Sequence, residues 1–286
     1  TVGMQQRVEI LKMLYRDNDI LIFDEPTAVL TPQEIDELMS IMKDLVSEGK
    51  SIIFITHKLN EIKAVADRCS VLRRGKYIGT VDVASTDKEA LSEMMVGHKV
   101  QLTVDKKEAV PGEVVLDVKN LVVKDQKQGH GKDIIKNVTM QVRKGEIVCI
   151  AGIDGNGQTE LVEAITGMTK IDSGTVTLDG KNITKESIRY RNTHGMSHIP
   201  EDRHKHGLVL DYSLEDNLVL QDYFEPRFQN HGFIKKDAVE SYANELIEKY
   251  DIRSGQGADT ITRSMSGGNQ QKAIIARELT KEHDLL

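Results

Sequence analysis

Apolar positions follow two different spacings in the first hundred residues. Residues 4–16 and 32–48 carry them at helical spacing, and a capping box at Thr31–Glu34, with proline at the first helical position, marks the start of the second helix. Ile20–Phe23 and Ser51–Ile55 are short, nearly continuous apolar runs, which are typical of strands buried on both faces. This alternation predicts an α/β fold with a parallel sheet that helices cover on both faces.

The rest of the chain combines strand-type and helix-type segments. The pattern predicts β-rich segments at 114–123 and 134–143, a strand at Ile147–Ala151, and helices from about Gly157, over 237–250 and over 266–280. A β-rich subdomain followed by a helical subdomain is therefore expected.

An internal repeat organises the sequence. Residues 3–21 and 268–286 align without a gap at an offset of 265 and share a glycine, two glutamines, a cation and an aspartate. Two unrelated amphipathic helices would share the periodicity but not these polar positions, so the repeat indicates a duplicated domain.

The offset predicts how the copies divide the chain. We expect the C-terminal half of one domain at 1–97, a polar linker at 98–113, and the N-terminal part of a second domain at 114–286. The counterparts of the remaining motifs would lie outside the chain, so we expect it to be a fragment of a longer protein.

Composition narrows the class of protein. The 286 residues carry a net charge of −7, which argues against a surface that coats nucleic acid, and no apolar run approaches the roughly 20 residues that cross a bilayer. A negative total does not argue against ATP, because backbone N–H groups build phosphate sites locally. Cys69 and Cys149 lie in apolar, strand-like contexts, which predicts two buried, reduced thiols of a cytosolic protein.

Two acids and a histidine follow the predicted parallel strands. Asp24 and Glu25 come directly after Ile20–Phe23, and His57 follows Ser51–Ile55. Ligands bind at the carboxyl ends of parallel strands, where an aspartate of P-loop NTPases binds Mg²⁺ directly or through water. We therefore predict Asp24 as the Mg²⁺-associated acid, Glu25 as the catalytic base that polarises water, and His57 as a donor to the γ-phosphate or to that water.

A glycine-rich loop with P-loop spacing follows the predicted strand at Ile147–Ala151. Its candidate nucleotide-binding residues are Gly152, Asp154, Gly155, Asn156, Gly157, Gln158 and Thr159, with Thr159 also a weak Mg²⁺ ligand. Gln158 stands where the pattern has lysine, and Glu160 adds a negative charge. The loop therefore predicts a degenerate site that binds nucleotide but hydrolyses it poorly; a glycine-rich turn that binds nothing remains the alternative.

A second glycine-rich helix start lies at the repeated segment. Ser266, Gly267, Gly268, Asn269 and Gln270 precede or open the predicted helix, and helix N-termini attract anions, so these five residues are also candidates for nucleotide binding. His204 and His206, by contrast, are interpreted as solvated loop residues rather than metal ligands.

Together these motifs resemble those of ABC-type ATPases. The resemblance rests on S-G-G-N-Q-Q at 266–271, I-L-I-F-D-E-P-T-A at 20–28 and T-H-K-L at 56–59. It implies a P-loop NTPase fold with a mixed sheet core, a β-rich subdomain and a helical signature subdomain. It also implies that ATP and Mg²⁺ bind, with each ATP between the P-loop of one domain and the signature motif of the other. On this view Asp24, Glu25, His57 and the signature residues belong to one competent site, and the loop at 152–159 to a degenerate one.

Two further segments are typical of one branch of this family. G-I-D-G-N-G-Q-T-E-L at 152–161 and H-I-P-E-D-R at 198–203 resemble the double ATPases of bacterial importers for simple sugars and purine nucleosides, in the basic membrane lipoprotein-type branch. The loop at 28–31 departs from the usual pattern, and Glu201–Arg203 replaces a region where the family has a Mg²⁺-sensing glutamine.

That resemblance implies partners and a location. The expected partners are two transmembrane permease subunits and an extracellular solute-binding lipoprotein, with no nucleic acid, and the expected place is the cytoplasmic face of the cell membrane. The alternatives are a soluble tandem ABC ATPase, which usually has a longer linker and both P-loop lysines, and a nucleotide-binding fragment that does not hydrolyse. The two partial domains could also form a homodimer or exchange halves between chains.

Overall fold

The computed structural model describes residues 2–16, 18–27, 30–73, 75–99, 108–125, 131, 133–153 and 155–286, with side chains described from residue 8 onward. Its internal contacts divide the chain into two compact units, residues 1–108 with 152–155, and residues 109–151 with 156–286. Among the described helices, none has the length and apolar character required to cross a membrane.

The described residues of the first unit form two small sheets and four helices. Its elements are α1 (Val2–Tyr15), β1 (Ile20–Asp24), α2 (Pro32–Ser47), β2 (Ser51–Ile55), α3 (Leu59–Val65), β3 (Arg68–Arg73), β4 (Lys76–Asp82) and α4 (Lys88–Val96). Strands β1 and β2 pair in parallel, and β3 and β4 pair antiparallel. The predicted capping box is confirmed, since Thr31 Oγ1 accepts from Glu34 N and Glu34 Oε2 accepts from Thr31 N.

The prediction that helices cover both faces of the parallel sheet is wrong for the described residues. Leu21 and Phe23 of β1 are buried against residues of α1 and α2, including Met42. Ile22 and Ile53 on the opposite face are exposed, at 60% and 54% of their surface. The apolar pattern correctly indicates strands with apolar side chains on both faces. Helices α1 and α2, however, both pack against the same face of the sheet.

The second unit contains a β-rich part and a helical part. Its elements are β5 (Val114–Lys124), β6 (Asp133–Arg143), α5 (Gln158–Thr166), β7 (Ser173–Leu178), β8 (Lys181–Asn182), α6 (Ile188–Thr193), α7 (Leu214–Val219), β9 (Gln229–Asn230), β10 (Phe233–Ile234), α8 (Lys236–Lys249) and α9 (Gly267–Thr280). Strands pair antiparallel in the order β6-β5-β7-β8, and α5 packs on this sheet. A second core joins α7, α8 and α9. The expected β-rich and helical subdomains are confirmed.

The predicted strand at Ile147–Ala151 does not form. These residues have no regular structure, and Ile147 is 80% exposed. A strand needs a neighbour for its backbone hydrogen bonds, and no described strand of this unit pairs with the segment. The predicted burial of Cys149 is wrong for the same reason, since its side chain is exposed. Cys69 on β3 is half-buried, and burial raises the pKa of its thiol.

The internal repeat extends to secondary structure. Helices α1 and α9 each contain 14 residues, and both ends differ by 265 positions, from Val2 to Gly267 and from Tyr15 to Thr280. Leu285, the counterpart of Ile20 in β1, forms a parallel bridge with Met196. Corresponding sequence positions therefore have corresponding local structure in the two units.

Candidate functional site

The predicted acids and histidine meet at the carboxyl edge of β1 and β2. The two strands are in register with Asp24 opposite Ile55, so Glu25 and His57 follow the strands at the same edge. Glu25 N donates to Ile55 O at 2.9 Å. Glu25 has a φ of 46°, in the left-handed region that costs a non-glycine residue about 1–3 kcal/mol. This conformation occurs at the residue that the sequence identifies as the base.

Glu25 and His57 are in direct contact. His57 Nδ1 lies 2.8 Å from Glu25 Oε1. An ionised carboxylate only accepts, so Nδ1 carries the proton and donates it to this hydrogen bond. The His57 side chain is 73% exposed, which leaves Nε2 accessible to a ligand. The pair therefore places an exposed imidazole and a partly exposed carboxylate, whose Oε2 is buried, at one sheet edge.

Asp24 supplies an exposed carboxylate beside this pair. No group of three or more His, Cys, Asp or Glu side chains within the described residues is arranged to bind a metal. A single carboxylate still fits Mg²⁺, which prefers oxygen ligands and usually takes the remainder from phosphates and water. Residues 28–29 of the following loop lie outside the described residues.

The glycine-rich loop is described in part. Asp154 lies outside the described residues, and Gly152 has no regular structure. The boundary between the two units falls after Gly155, and Asn156–Thr159 belong to the second unit. Gly157 has a φ of 102°, and a Cβ there would lie 3.0 Å from Ile135 Cδ1. Glycine is therefore required immediately before α5.

Thr159 at the start of α5 contacts a carboxylate. Its Oγ1 donates to Glu201 Oε2 at 3.0 Å, and both residues are exposed. They line a 730 Å³ groove between α5 and residues 198–206, together with Gln158. The hydroxyl predicted as a weak Mg²⁺ ligand thus faces Glu201, which adds negative charge where the loop already has glutamine in place of lysine. The sequence did not reveal this contact.

The segment after Glu201 forms a capped helical turn whose polar side chains are largely exposed. Arg203–Gly207 forms one π-helical turn, and Asp202 caps it by accepting from His204 N and Lys205 N, which lowers the pKa of Asp202. His204 Nε2 lies 3.0 Å from Gln270 Oε1. His204 is exposed, as the interpretation of a solvated residue expects, but it lies in a helical turn rather than a loop and its ring contacts Gln270 of α9.

The predicted signature residues open α9. Ser266 is the N-cap, and its hydroxyl accepts from Asn269 Nδ2 at 2.9 Å. Gly267, Gly268 and Asn269 are the first three helical residues, whose N–H groups have no partner within the helix. A Cβ at Gly267 would lie 2.9 Å from Arg203 Nη2, while Gly268 meets open space. Backbone N–H groups and the helix dipole therefore form the anion-attracting part of this segment.

Gln270 has a different role from the one predicted. Its side chain is 4% exposed, and Nε2 donates to Thr262 O while Oε1 faces His204. The amide is thus part of the protein interior. Sequence reasoning proposed it as a nucleotide contact because it belongs to the repeated motif, but burial is not visible in the motif.

Glu61 on α3 is a further candidate that the sequence does not reveal. Its side chain is 5% exposed and accepts hydrogen bonds from residues next to both strand ends. The only signal in the sequence is its distance of four residues from His57, which by itself indicates no contact.

The chain is similar in sequence to known import ATP-binding proteins. The chain is 54% identical to a nucleoside import ATP-binding protein of Lactococcus lactis subsp. cremoris, over all of this chain and 56% of the relative. It is 52% identical to a guanosine import ATP-binding protein of Bacillus subtilis, over all of this chain and 55% of the relative. It is 46% identical to a glucose import ATP-binding protein of Haloferax volcanii, over all of this chain and 52% of the relative. The chain thus spans about half the length of these relatives.

The family model for the ABC transporter matches residues 135–286, more than half of the chain. The matched region begins in β6 and includes the glycine-rich loop, Glu201 and α9, the helix that the signature residues open. The chain belongs to the ABC transporter family and has the fold class of its ATPases.

Proposed function

We propose that this chain is part of the ATP-binding subunit of an importer that couples ATP hydrolysis to the uptake of a nucleoside or simple sugar. The observation that carries the proposal is the Glu25–His57 contact of 2.8 Å beside Asp24 at the carboxyl edge of β1 and β2. The names of the relatives support the solute class, with nucleosides favoured by the two higher identities.

The geometry suggests how the pair contributes to hydrolysis. Glu25 accepts a proton from the water that attacks the γ-phosphorus, and ADP leaves on the opposite side. His57 orients the Glu25 carboxylate through Nδ1, and in its imidazolium form it would also donate from Nε2 to a phosphate oxygen. Asp24 would bind Mg²⁺ through water. When bound, this ion neutralises charge on the phosphate oxygens.

We further propose that the two ATP sites of the parent protein are unequal. Gln158 and Glu201 leave the loop at 156–159 without the usual cation and with an added carboxylate, so this site would bind nucleotide weakly and hydrolyse it slowly. The N–H groups of Gly267, Gly268 and Asn269 would bind a nucleotide phosphate. This arrangement assumes the domains at 1–97 and 114–286 with the linker 98–113 between them.

The proposal also includes the other subunits of the importer and the location of this chain at the membrane. Two permease subunits and a solute-binding lipoprotein of the basic membrane type would complete the importer, with this chain at the cytoplasmic face of the membrane. The importers to which the relatives belong support these partners as a class.

Uptake by the reconstituted full-length importer tests the proposal. We expect Glu25→Gln to abolish ATP-driven uptake of labelled guanosine, because the base is lost while the side chain keeps its shape. Asp36→Asn, at an exposed position on α2, is the matched control and is expected to retain uptake. Unlabelled glucose and guanosine as competitors separate the two solute classes. Normal uptake by Glu25→Gln would contradict the proposed role.

A further inference from the structure

We infer that Glu61 is a positioning residue that fixes the distance between Glu25 and His57. The inference rests on the proposed function, because it assigns Glu61 a part in that hydrolysis. Glu61 lies on α3 with 5% of its surface exposed, and each of its carboxylate oxygens is used. Burying a carboxylate costs free energy unless an opposite charge and hydrogen bonds compensate. The side chains around Glu61 therefore have to supply both.

One oxygen of Glu61 holds the segment that leaves β1. Glu61 Oε1 accepts from Thr27 Oγ1 at 2.7 Å, and Thr27 is fully buried. Thr27 follows Glu25 by two residues, with Pro26 between them and its φ fixed by the ring. The backbone that carries Glu25 is therefore fixed on its C-terminal side by α3.

The other oxygen holds the segment that leaves β2. Glu61 Oε2 accepts from Thr56 Oγ1 at 3.0 Å, and Thr56 Oγ1 accepts from Lys58 N at 3.1 Å. Thr56 and Lys58 are the residues on either side of His57. The backbone of His57 is thus fixed relative to the same carboxylate.

Lys58 closes the network. Its Nζ lies 3.3 Å from Glu61 Oε1 and donates to Thr27 O at 3.0 Å. The lysine therefore balances the buried charge and adds a direct bond between the two segments. Through Thr27, Thr56 and Lys58, one carboxylate connects the chain after Glu25 with the chain around His57.

A loss of this connection should act on rate rather than on nucleotide binding. Without Glu61, the two threonine hydroxyls lose their acceptor and the Lys58 ammonium loses its ion-pair partner, so the two strand ends are held less firmly relative to each other. A displacement of about 1 Å at a catalytic group can lower the rate by about 100-fold. The nucleotide affinity depends on other groups and should change little.

Steady-state ATP hydrolysis by the full-length protein measures this effect. We expect Glu61→Ala to lower kcat by about 100-fold with KM for ATP within about 2-fold of the original value. The kcat of Glu61→Gln should lie between that of the original protein and that of Glu61→Ala. The amide oxygen of glutamine replaces only one of the two acceptors, and the negative charge is lost. Lys63→Ala is the matched control: Lys63 lies on the same helix and donates to Val83 O and Thr86 O, away from the strand ends. It should lower thermal stability and leave kcat intact.

A double-mutant cycle separates positioning from general stabilisation. If Glu61 acts through His57, Glu61→Ala should lower the single-turnover rate by less than about 2-fold in a His57→Ala background. A full loss in that background, or an equal loss of kcat in Lys63→Ala, would overturn the inference. If Glu61→Ala does not fold, Thr27→Val and Thr56→Val serve instead, since each removes one hydroxyl and keeps the ion pair. Unchanged kcat in both would likewise overturn it.

Different results would refute the positioning role of Glu61 and the proposed function. Turnover that depends on Glu25 but not on Glu61 refutes positioning alone. Turnover that Glu25→Gln leaves unchanged refutes both.

Discussion

At the scale of single residues, the two nucleotide-related regions differ in charge. Glu25 carries its carboxylate in a left-handed backbone conformation and contacts His57 directly. Thr159 contacts Glu201 instead, next to a glutamine at the position where a P-loop has lysine. Identical chemistry at the two sites is therefore not expected, and charge is the difference that can be tested most simply.

Neutralising Glu201 should strengthen nucleotide binding at the degenerate loop. We expect Glu201→Gln to raise affinity for a fluorescent ATP analogue by about 2- to 5-fold at low salt, because an exposed like charge costs little and is screened. Equilibrium fluorescence titration of the full-length protein measures the change, with Glu245→Gln on the exposed face of α8 as the control. An unchanged affinity, or a gain equal to that of the control, would argue against Glu201 as the opposing charge.

At the scale of elements, buried charges fasten α9 to its surroundings. Arg277 Nε donates to Glu278 Oε1 at 3.0 Å, while its other nitrogens donate to Asn217 O and Gly207 O. Lys281 lies 2.6 Å from Glu278 Oε2. This network joins the signature helix to α7 and to the turn that follows Glu201, so the position of α9 depends on a few ionised groups.

These groups make stability depend on pH in the acid range. Burial raises the pKa of Glu278, but the charges of Arg277 and Lys281 outweigh it, and the net pKa lies below the ordinary value of 4.5. A depressed folded-state pKa stabilises the fold above about pH 4.5, and this contribution is lost as pH falls through the folded-state value.

Glu278→Gln should therefore destabilise the protein at neutral pH by about 3 kcal/mol and flatten the decline of stability in acid. Urea unfolding of the full-length protein between pH 7 and pH 3 measures the free energy of unfolding at each pH. The unfolding transition that Glu278→Gln shifts gives both the loss of stability at neutral pH and the slope of its decline in acid. The control is Glu282→Gln at an exposed position. An equally steep acid decline in Glu278→Gln would show that another group dominates.

The sequence predicted the elements better than their contacts. Periodicity and capping located α2, β2 and α9 to within a residue or two, because these signals depend on local spacing. Parallel strands also brought Glu25 and His57 together as expected. The contact of Thr159 with Glu201 spans 42 residues and depends on side-chain packing, which periodicity does not encode. Apolarity at Ile147–Ala151 indicated a strand but not whether a neighbouring strand pairs with it.

At the scale of the whole molecule, the two units carry different motifs. The first contributes acids and a histidine at the edge of a parallel sheet, and the second contributes a signature helix and a loop with glutamine for lysine. Helices α1 and α9 have equal lengths at an offset of 265, as the predicted duplication requires. We propose that Glu25 and His57 act as one hydrolytic unit.

Single-turnover hydrolysis of γ-labelled ATP by the full-length protein tests that claim most directly. Glu25→Gln and His57→Ala are each expected to lower the rate by about 10²–10⁴-fold, and the double variant no further than the more severe single variant, because residues that act as a unit are not additive. Multiplicative losses in the double variant, or a normal rate in Glu25→Gln, would contradict the account.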